Sequence, residues 1–444
     1  MNTKDIVRIT GGTYLGKEEK IEINSCTTDS RTVEKNSIFI GVKGETINGN
    51  TYYKEALDKG ASLCVLADDT VIEDKYKNKS ILLVADTTEA IQKLAKEKRD
   101  HYDIPVVGIT GSVGKTSVKD MIYSVLKKKY NVLCNKGNRN SQLGMPMTIL
   151  ELKDHDALVV EIGMNHPGEI HKLVNIARPT IAVITNIGTA HIGILGSREN
   201  ILKAKLEILD GVNNETLIIN NDNDLLQTVK YNNMITTGIH TKSDYMATDI
   251  DVDIFESKFT IEGTRFSIPV GSEAFINNAL LAYAVGIKLG VPKEDIKDAL
   301  KNITLTPHRL ELIKKDKITI IDDAYNASID SIRNAAQLLR KIKTRRVFIF
   351  ADVLETGDYA EQIHREIAQI FIDNDVDLLL TVGTQSKLTH EIFNRHNKNS
   401  YHFNTNKELL QELKNIIKDN DTIMIKGSLG MNLLEIVEYL KKSY

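Results

Sequence analysis

The rhythm of apolar and polar positions changes twice along the chain. In residues 1–104, short β-type runs (SIFIGV, ASLCVLA, SILLVA) surround one long helical stretch, TEAIQKLAKEKRDHY, which ends before DIP. This mixture predicts a small α/β domain. From Pro105 the pattern becomes strand, loop and helix: VVGIT enters a glycine loop, ALVVEIG and TIAVITNIG follow, and SRENILKAKLEILDGV reads as one long helix. Strands that are apolar throughout are usually buried on both faces of a parallel sheet, so a central α/β domain is predicted over 105–304. Around LTPHRLELI the pattern restarts. KITIIDDAYNAS, RRVFIFADVLETGD, VDLLLTVGTQS and DTIMIKGSLG alternate with amphipathic helices such as AEQIHREIAQIFIDN, which predicts a second, doubly wound sheet over 305–444. Ligands of such sheets collect beyond the carboxyl ends of the strands, where the loops with Asp323, Asn326 and Asp352 fall.

Composition narrows the function by exclusion. The 444 residues are 41% hydrophobic and 26% charged, ordinary for a globular protein. The 57 Lys and Arg nearly balance the 60 Asp and Glu, leaving a net charge of -3. That balance lacks the basic excess of a nucleic-acid binder, so no nucleic-acid partner is expected. The first residues, MNTKDIVRIT, contain no apolar leader, and no run reaches the roughly 18 apolar residues of a membrane span. Cys26, Cys64 and Cys134 are widely spaced and outside any CxxC pair, which argues against a disulfide framework or a zinc site. A cytoplasmic location is expected.

The chemistry concentrates in TGSVGKTS. Its glycines let backbone N–H groups approach phosphate oxygens, the following helix directs its positive end at them, and Lys115 adds a cation. Gly111, Ser112, Val113, Gly114, Lys115, Thr116 and Ser117 are therefore expected to bind a nucleotide phosphate, with the Thr116 hydroxyl on magnesium. The common spacing GxxxxGK[ST] would place glycine at 109, where Ile109 stands, so the loop is a variant. Glu161 closes a buried-looking strand and could coordinate magnesium, although a salt bridge or helix cap explains it equally well. His191 after a strand reads first as a structural hydrogen-bonding residue, and Lys205 on its helix as a solvated surface lysine. The loop alone does not decide between a ligase, a kinase and a simple ATPase.

Read together, several blocks resemble the Mur ligases nearly end to end. They are TTDSRTVEKNSIFIGVKGE in the first domain; TGSVGKTS, GNRNSQLGMPMTIL, VVEIGMNHPGEI, TNIGTAH and GSRENILKAKLEI in the second; and RLELI, IDDAYNASIDS and KGS in the third. The resemblance implies three α/β domains: an N-terminal UDP-sugar-binding domain, a central ATP-binding domain with a parallel-type sheet, and a C-terminal Rossmann-like domain that closes over the nucleotide. It further implies an ATP-dependent amide ligase of peptidoglycan precursor synthesis, acting as a monomer. The implied substrates are a UDP-sugar peptide and a dipeptide, UDP-N-acetylmuramoyl-tripeptide and D-alanyl-D-alanine, joined through an acyl phosphate.

Residue by residue, the resemblance implies that Lys115 contacts the ATP phosphates, that Thr116 and Glu161 hold one magnesium ion, and that His191 helps bind a second. Lys205 becomes a carbamylated lysine facing magnesium, so the implied catalytic set is Lys115, Glu161, His191 and Lys205. Asn278 falls near the adenine; Arg309 and Asp323 fall at the nucleotide phosphate and ribose, with Asn326 close by. Ser30 and Arg31 fall near the uridine diphosphate, and Asn138 and Asn140 near the substrate. The chain departs from the pattern at Asn48-Gly49-Asn50, where Asp-Gly-His is common, at SEAF ahead of the adenine-site asparagine, at Gly193 in place of a glutamate, and at Ala351 in place of a glycine. These departures keep open a paralogue acting on another acid and amine or a non-catalytic nucleotide-binding scaffold, and the loop alone keeps open a P-loop ATPase or kinase that is not a ligase.

Overall fold

The computed structural model describes residues 1–17, 20–44, 47–211, 216–396 and 398–444. Three sheets follow one another along the chain. The first runs Thr13–Leu15, Ile81–Val84, Leu63–Ala67, Ser37–Ile40, Ser25–Thr27, parallel except for its first strand. Helix Thr87–Asp100 crosses from this sheet to the next. Asp86 caps it, accepting from Glu89 N at 3.0 Å, and its buried Ala90, Ile91, Leu94 and Ala95 share one core with Ile170 and Leu173 of the second module.

The central sheet is ordered Thr264–Ile268, Ser257–Ile261, Tyr245–Val252, Met234–Gly238, Thr216–Asn220, Ile181–Ile184, Val106–Thr110, Ala157–Glu161, Val132–Cys134. Val107, Ile109, Val159 and Val183 point into one core, and Val106, Leu158, Val160 and Ile184 into the other. Alternate side chains of a strand leave on opposite faces, so an unbroken apolar run fills both cores at once. At the far edge the sheet turns antiparallel through Tyr245–Val252, Ser257–Ile261 and Thr264–Ile268. Ser257–Ile261 is buried at every second residue, the signature of a strand covered on one face, and the sequence reading did not separate it. The helix predicted over SRENILKAKLEILDGV is α-helical only over Arg198–Leu206 and tightens to a 3₁₀ turn over Glu207–Gly211; Val212 lies outside the described residues.

The third sheet is ordered Glu311–Lys314, Thr319–Asp322, Thr422–Lys426, Arg346–Ala351, Leu378–Val382, Asn399–Phe403, and only its first strand is antiparallel. Phe348 and Phe350 face helices Ile329–Arg340 and Ala360–Asp373, whereas Val347 and Ile349 face Asn406–Ile416 and Leu434–Ser443. The sheet is therefore doubly wound.

Candidate active site

Strand Val106–Thr110 delivers the chain into the glycine loop, and the loop turns directly into helix Lys115–Leu126. Gly111 adopts φ 146°, and a Cβ there would lie 1.9 Å from Thr185 Oγ1, so no other residue fits. Asn186 holds the loop's shape: its carbonyl accepts from Ser112 N at 3.0 Å, and its Oδ1 accepts from Val113 N at 2.9 Å. No side chain caps the helix. Its first N–H groups and the positive end of its dipole stay available to an anion. Lys115 folds back over the loop, donating to Gly111 O at 2.8 Å. Enclosure pushes its ammonium below lysine's usual pKa; Glu161 opposes that shift, and Arg309 adds to it.

Glu161, the last residue of its strand and 2% exposed, accepts at one oxygen from Thr116 Oγ1 (2.8 Å) and at the other from Asn140 Nδ2 (2.7 Å). Asn135 fixes the backbone there, accepting from Glu161 N at 2.9 Å. A carboxylate this buried is costly without charge-assisted bonds or a cation, and its two bonds come from neutral donors. The Thr116 hydroxyl and Glu161 carboxylate are hard oxygen donors of the kind magnesium takes, so the residues present fit that ion.

Two residues with plain readings in the sequence are unusual in the structure. Lys205 is 1% exposed, and no hydrogen bond or ion pair joins its ammonium to another described residue. Burial, then repulsion from Lys115, pushes its pKa well below lysine's ordinary value. It is not among the residues that line the cavity. His191 lines the cavity with φ 65°. Its Nδ1 stands 3.0 Å from Glu355 Oε2 of the third module, at an angle outside a hydrogen bond's range.

The third module closes the site. Arg309 Nη2 donates to Thr116 Oγ1 at 2.9 Å, its guanidinium lies 4.2 Å over the Tyr325 ring, and its buried Nε has no partner among the described residues. Asp323 pairs with Lys426 at 2.5 Å, and Lys426 also donates to Asn326 O at 3.0 Å. Asn278, from helix Glu273–Lys288, rests against the loop.

These groups surround one cavity of about 910 Å³, the upper part of the usual range for small-molecule sites. Ser112 to Ser117, Asn138, Asn140, Glu161, His191, Asn278, Arg309, Asp323 and Asn326 all line it, as do Val42 and Thr88 of the first module. Ser30 and Arg31 stand outside it. Ser30 donates to Glu55 at 2.6 Å, and exposed Arg31 pairs with Asp29 at 2.7 Å. Sequence reasoning missed Lys426, although KGS follows an apolar strand, and missed Glu355, whose partner lies far away in the chain. Asn50, at one of the departures, is 2% exposed and accepts from Ala67 N at 2.9 Å, a structural role. Among the described residues, no helix is long and apolar enough to cross a membrane.

Three family models match in order: the Mur ligase family catalytic domain over residues 22–99, the Mur ligase middle domain over 109–286, and the Mur ligase glutamate ligase domain over 308–429. The UDP-N-acetylmuramoyl-tripeptide--D-alanyl-D-alanine ligase of Bacillus subtilis is 36% identical over 99% of this chain and 98% of its own. The Escherichia coli ligase of the same name is 31% identical over 95% of each. A crystal structure of MurF from Acinetobacter baumannii superposes with a TM-score of 0.88 at 29% identity, covering 99% of this chain and 98% of that one. MurF ligase from Thermotoga maritima in complex with ADP gives 0.81 at 25% identity, covering 96% and 98%. With three matched modules in the same order and full-length relatives above 30% identity, the chain belongs to the Mur ligase family.

Proposed function

We propose that this protein is an ATP-dependent ligase that joins D-alanyl-D-alanine to UDP-N-acetylmuramoyl-tripeptide, working as a cytoplasmic monomer. One observation carries the reading: the Thr116 hydroxyl sits between Glu161 and Arg309 at an uncapped helix N-terminus, inside a cavity lined by all three modules. The full-length relatives carrying that name support the choice of substrates.

The roles we assign are those the family resemblance implies, and for the residues that line the cavity their position supports them. Residues 1–104 hold the UDP-sugar, with Ser30 and Arg31 at the uridine diphosphate; 105–304 hold ATP; 305–444 close over it. Loop N–H groups and Lys115 hold the phosphates, Asn278 the adenine, and Arg309, Asp323 and Asn326 the phosphate and ribose. Asn138 and Asn140 face the acceptor peptide. Thr116 and Glu161 hold one magnesium ion, and His191 and Lys205 the second. The ions supply charge neutralisation between two anionic reactants. Lys205 suits that role only as a carbamate. Its burial without a partner favours the neutral amine, whose lone pair forms an N–C bond to carbon dioxide with loss of a proton.

The acceptor carboxylate attacks the γ-phosphorus and ADP leaves, giving an acyl phosphate. The dipeptide amine then attacks the acyl carbon, expels phosphate and loses a proton. Arg309 stands at the phosphates only while the third module is docked, which excludes water during the life of the intermediate. The test supplies purified protein with Mg-ATP, the UDP-tripeptide and D-alanyl-D-alanine, and follows phosphate and product mass. Phosphate release that requires both acceptors, with a pentapeptide product, is the expected result. A folded enzyme that makes amide only from another acid or amine overturns the substrate choice, and a stable phosphorylated product without amide overturns ligation.

A further inference from the structure

Residues 188–196 of the central module and 353–359 of the third meet along a seam. His191 and Glu355 face each other across it, both in the left-handed region, at φ 65° and 60°. Such backbone costs energy unless the surroundings impose it, and here the two loops pack closely against each other. Gly193 lies so close to the opposite loop that a Cβ would come within 2.6 Å of Gly357 N and the Thr356 carbonyl carbon. Tyr359 Oη donates to Gly196 O at 2.7 Å, and Thr189 N donates to Asp330 Oδ2 at 3.2 Å. The seam thus brings a carboxylate from one module to 3.0 Å from His191 Nδ1 of another.

That atom is the informative one. His191 Nδ1 is buried and has no aligned hydrogen-bond partner among the described residues, and Glu355 Oε2 is the carboxylate oxygen beside it. A carboxylate at one imidazole nitrogen fixes the tautomer and ring orientation, which leaves the lone pair on the other nitrogen for a metal ion. Both side chains line the cavity, and Glu355 keeps 56% of its side chain exposed, so its role is not to fill the core.

We propose that Glu355 is a positioning residue for His191, and that docking of the third module is what sets this metal ligand in the second. The inference rests on the reading of His191 as a metal ligand given above. It is tested with full-length protein, adenylyl imidodiphosphate and Mn²⁺, counting bound ions by electron paramagnetic resonance. Glu355→Gln, nearly isosteric and half-exposed, should weaken one of two Mn²⁺ ions about tenfold and leave the other unchanged. It should also raise the Mg²⁺ concentration for half-maximal turnover by the same factor, with kcat recovering at saturation. Gly193→Ala, which touches neither side chain but blocks the seam, should reproduce the Mn²⁺ loss. If Glu355→Gln binds Mn²⁺ like the unmodified protein while His191→Ala loses an ion, the positioning role is overturned and the proposed function stands. If His191→Ala also keeps both ions, the metal-ligand reading fails, and this inference fails with it.

Discussion

Two places in the molecule share one local design and do opposite things with it. At Val106–Thr110 and at Leu378–Val382, a buried parallel strand is followed by a glycine and leads into a helix, Lys115–Leu126 or Ser386–Arg395. In both, the neighbouring strand delivers a carboxylate at its carboxyl end. Glu161 pairs in register with Ile109, and Asp352 lies one residue beyond the Ala351–Val382 pair. Asp352 turns onto the backbone, accepting from Thr384 N (2.9 Å), Gln385 N (3.1 Å) and Ser386 N (2.7 Å), so this helix start is filled by the chain's own anion. Glu161 turns instead to the Thr116 hydroxyl and leaves the helix N-terminus uncapped beside the cavity. The fold alone does not make an anion site. A site appears where the chain withholds its own anion.

The sharpest way to break the contrast is at the open end. Lys115→Ala should lower kcat by about 10³-fold, since on the proposed reading it removes the cation that meets the transferred phosphoryl group. Melting temperature should hardly move, because the lysine bonds only to loop carbonyls. Turnover within tenfold of the unmodified enzyme would mean that the open helix end is not where phosphate reacts. Next in size, Lys205→Ala should lose about 10²-fold in activity. Short carboxylic acids should restore part of it by entering the space of the proposed carbamate; full activity without them would remove Lys205 from the mechanism.

How legible these two places were differs for physical reasons. TGSVGKTS carries lysine and threonine at the helix start, and Glu161 is a charge at the end of an otherwise apolar strand, so both stood out from residue type alone. The doubly wound third sheet was equally plain, because its four inner strands are largely apolar, whereas the edge strands Glu311–Lys314 and Asn399–Phe403 are mixed. Lys205 was not, since its helix alternates charged and apolar residues with little amphipathic bias and the cover over it comes from elsewhere in the fold. Glu355 and Arg309 act across a module boundary, on partners 164 and 193 positions away, and no local pattern encodes that. Asp352 was placed near a ligand-collecting end by strand topology, yet its three backbone bonds make it a structural anchor.

At the closed end the expected effects are on stability. Asp352→Ala leaves three backbone donors without their acceptor, one of them buried at Ser386, and should cost roughly 2–4 kcal/mol of unfolding free energy. Urea denaturation of the two proteins measures it. In the folded variant, KM for ATP should stay within about twofold, since the anchor lies outside the cavity lining. A loss of ATP affinity without a loss of stability would mean that the two helix starts are not separate devices.

The smallest effect separates charge from hydrogen bonding at that anchor. Asp352 Oδ2 accepts from Thr384 N and Gln385 N, and Oδ1 accepts from Ser386 N. In Asp352→Asn, the carboxamide oxygen can serve only one of these positions, and the amide nitrogen then faces a backbone donor at the other. The favourable flip keeps the two bonds to Thr384 and Gln385, loses the one to Ser386, and removes the negative charge from the helix N-terminus. Loss of one bond and a charge–dipole interaction of this kind should cost about 1–2 kcal/mol, between the unmodified protein and the alanine variant. If asparagine proves as damaging as alanine in the same urea titration, the charge holds the helix start closed and the neutral bonds add little. If asparagine matches aspartate, hydrogen bonding alone closes it, and the difference between the two helix starts lies in acceptor geometry rather than in the placement of charge.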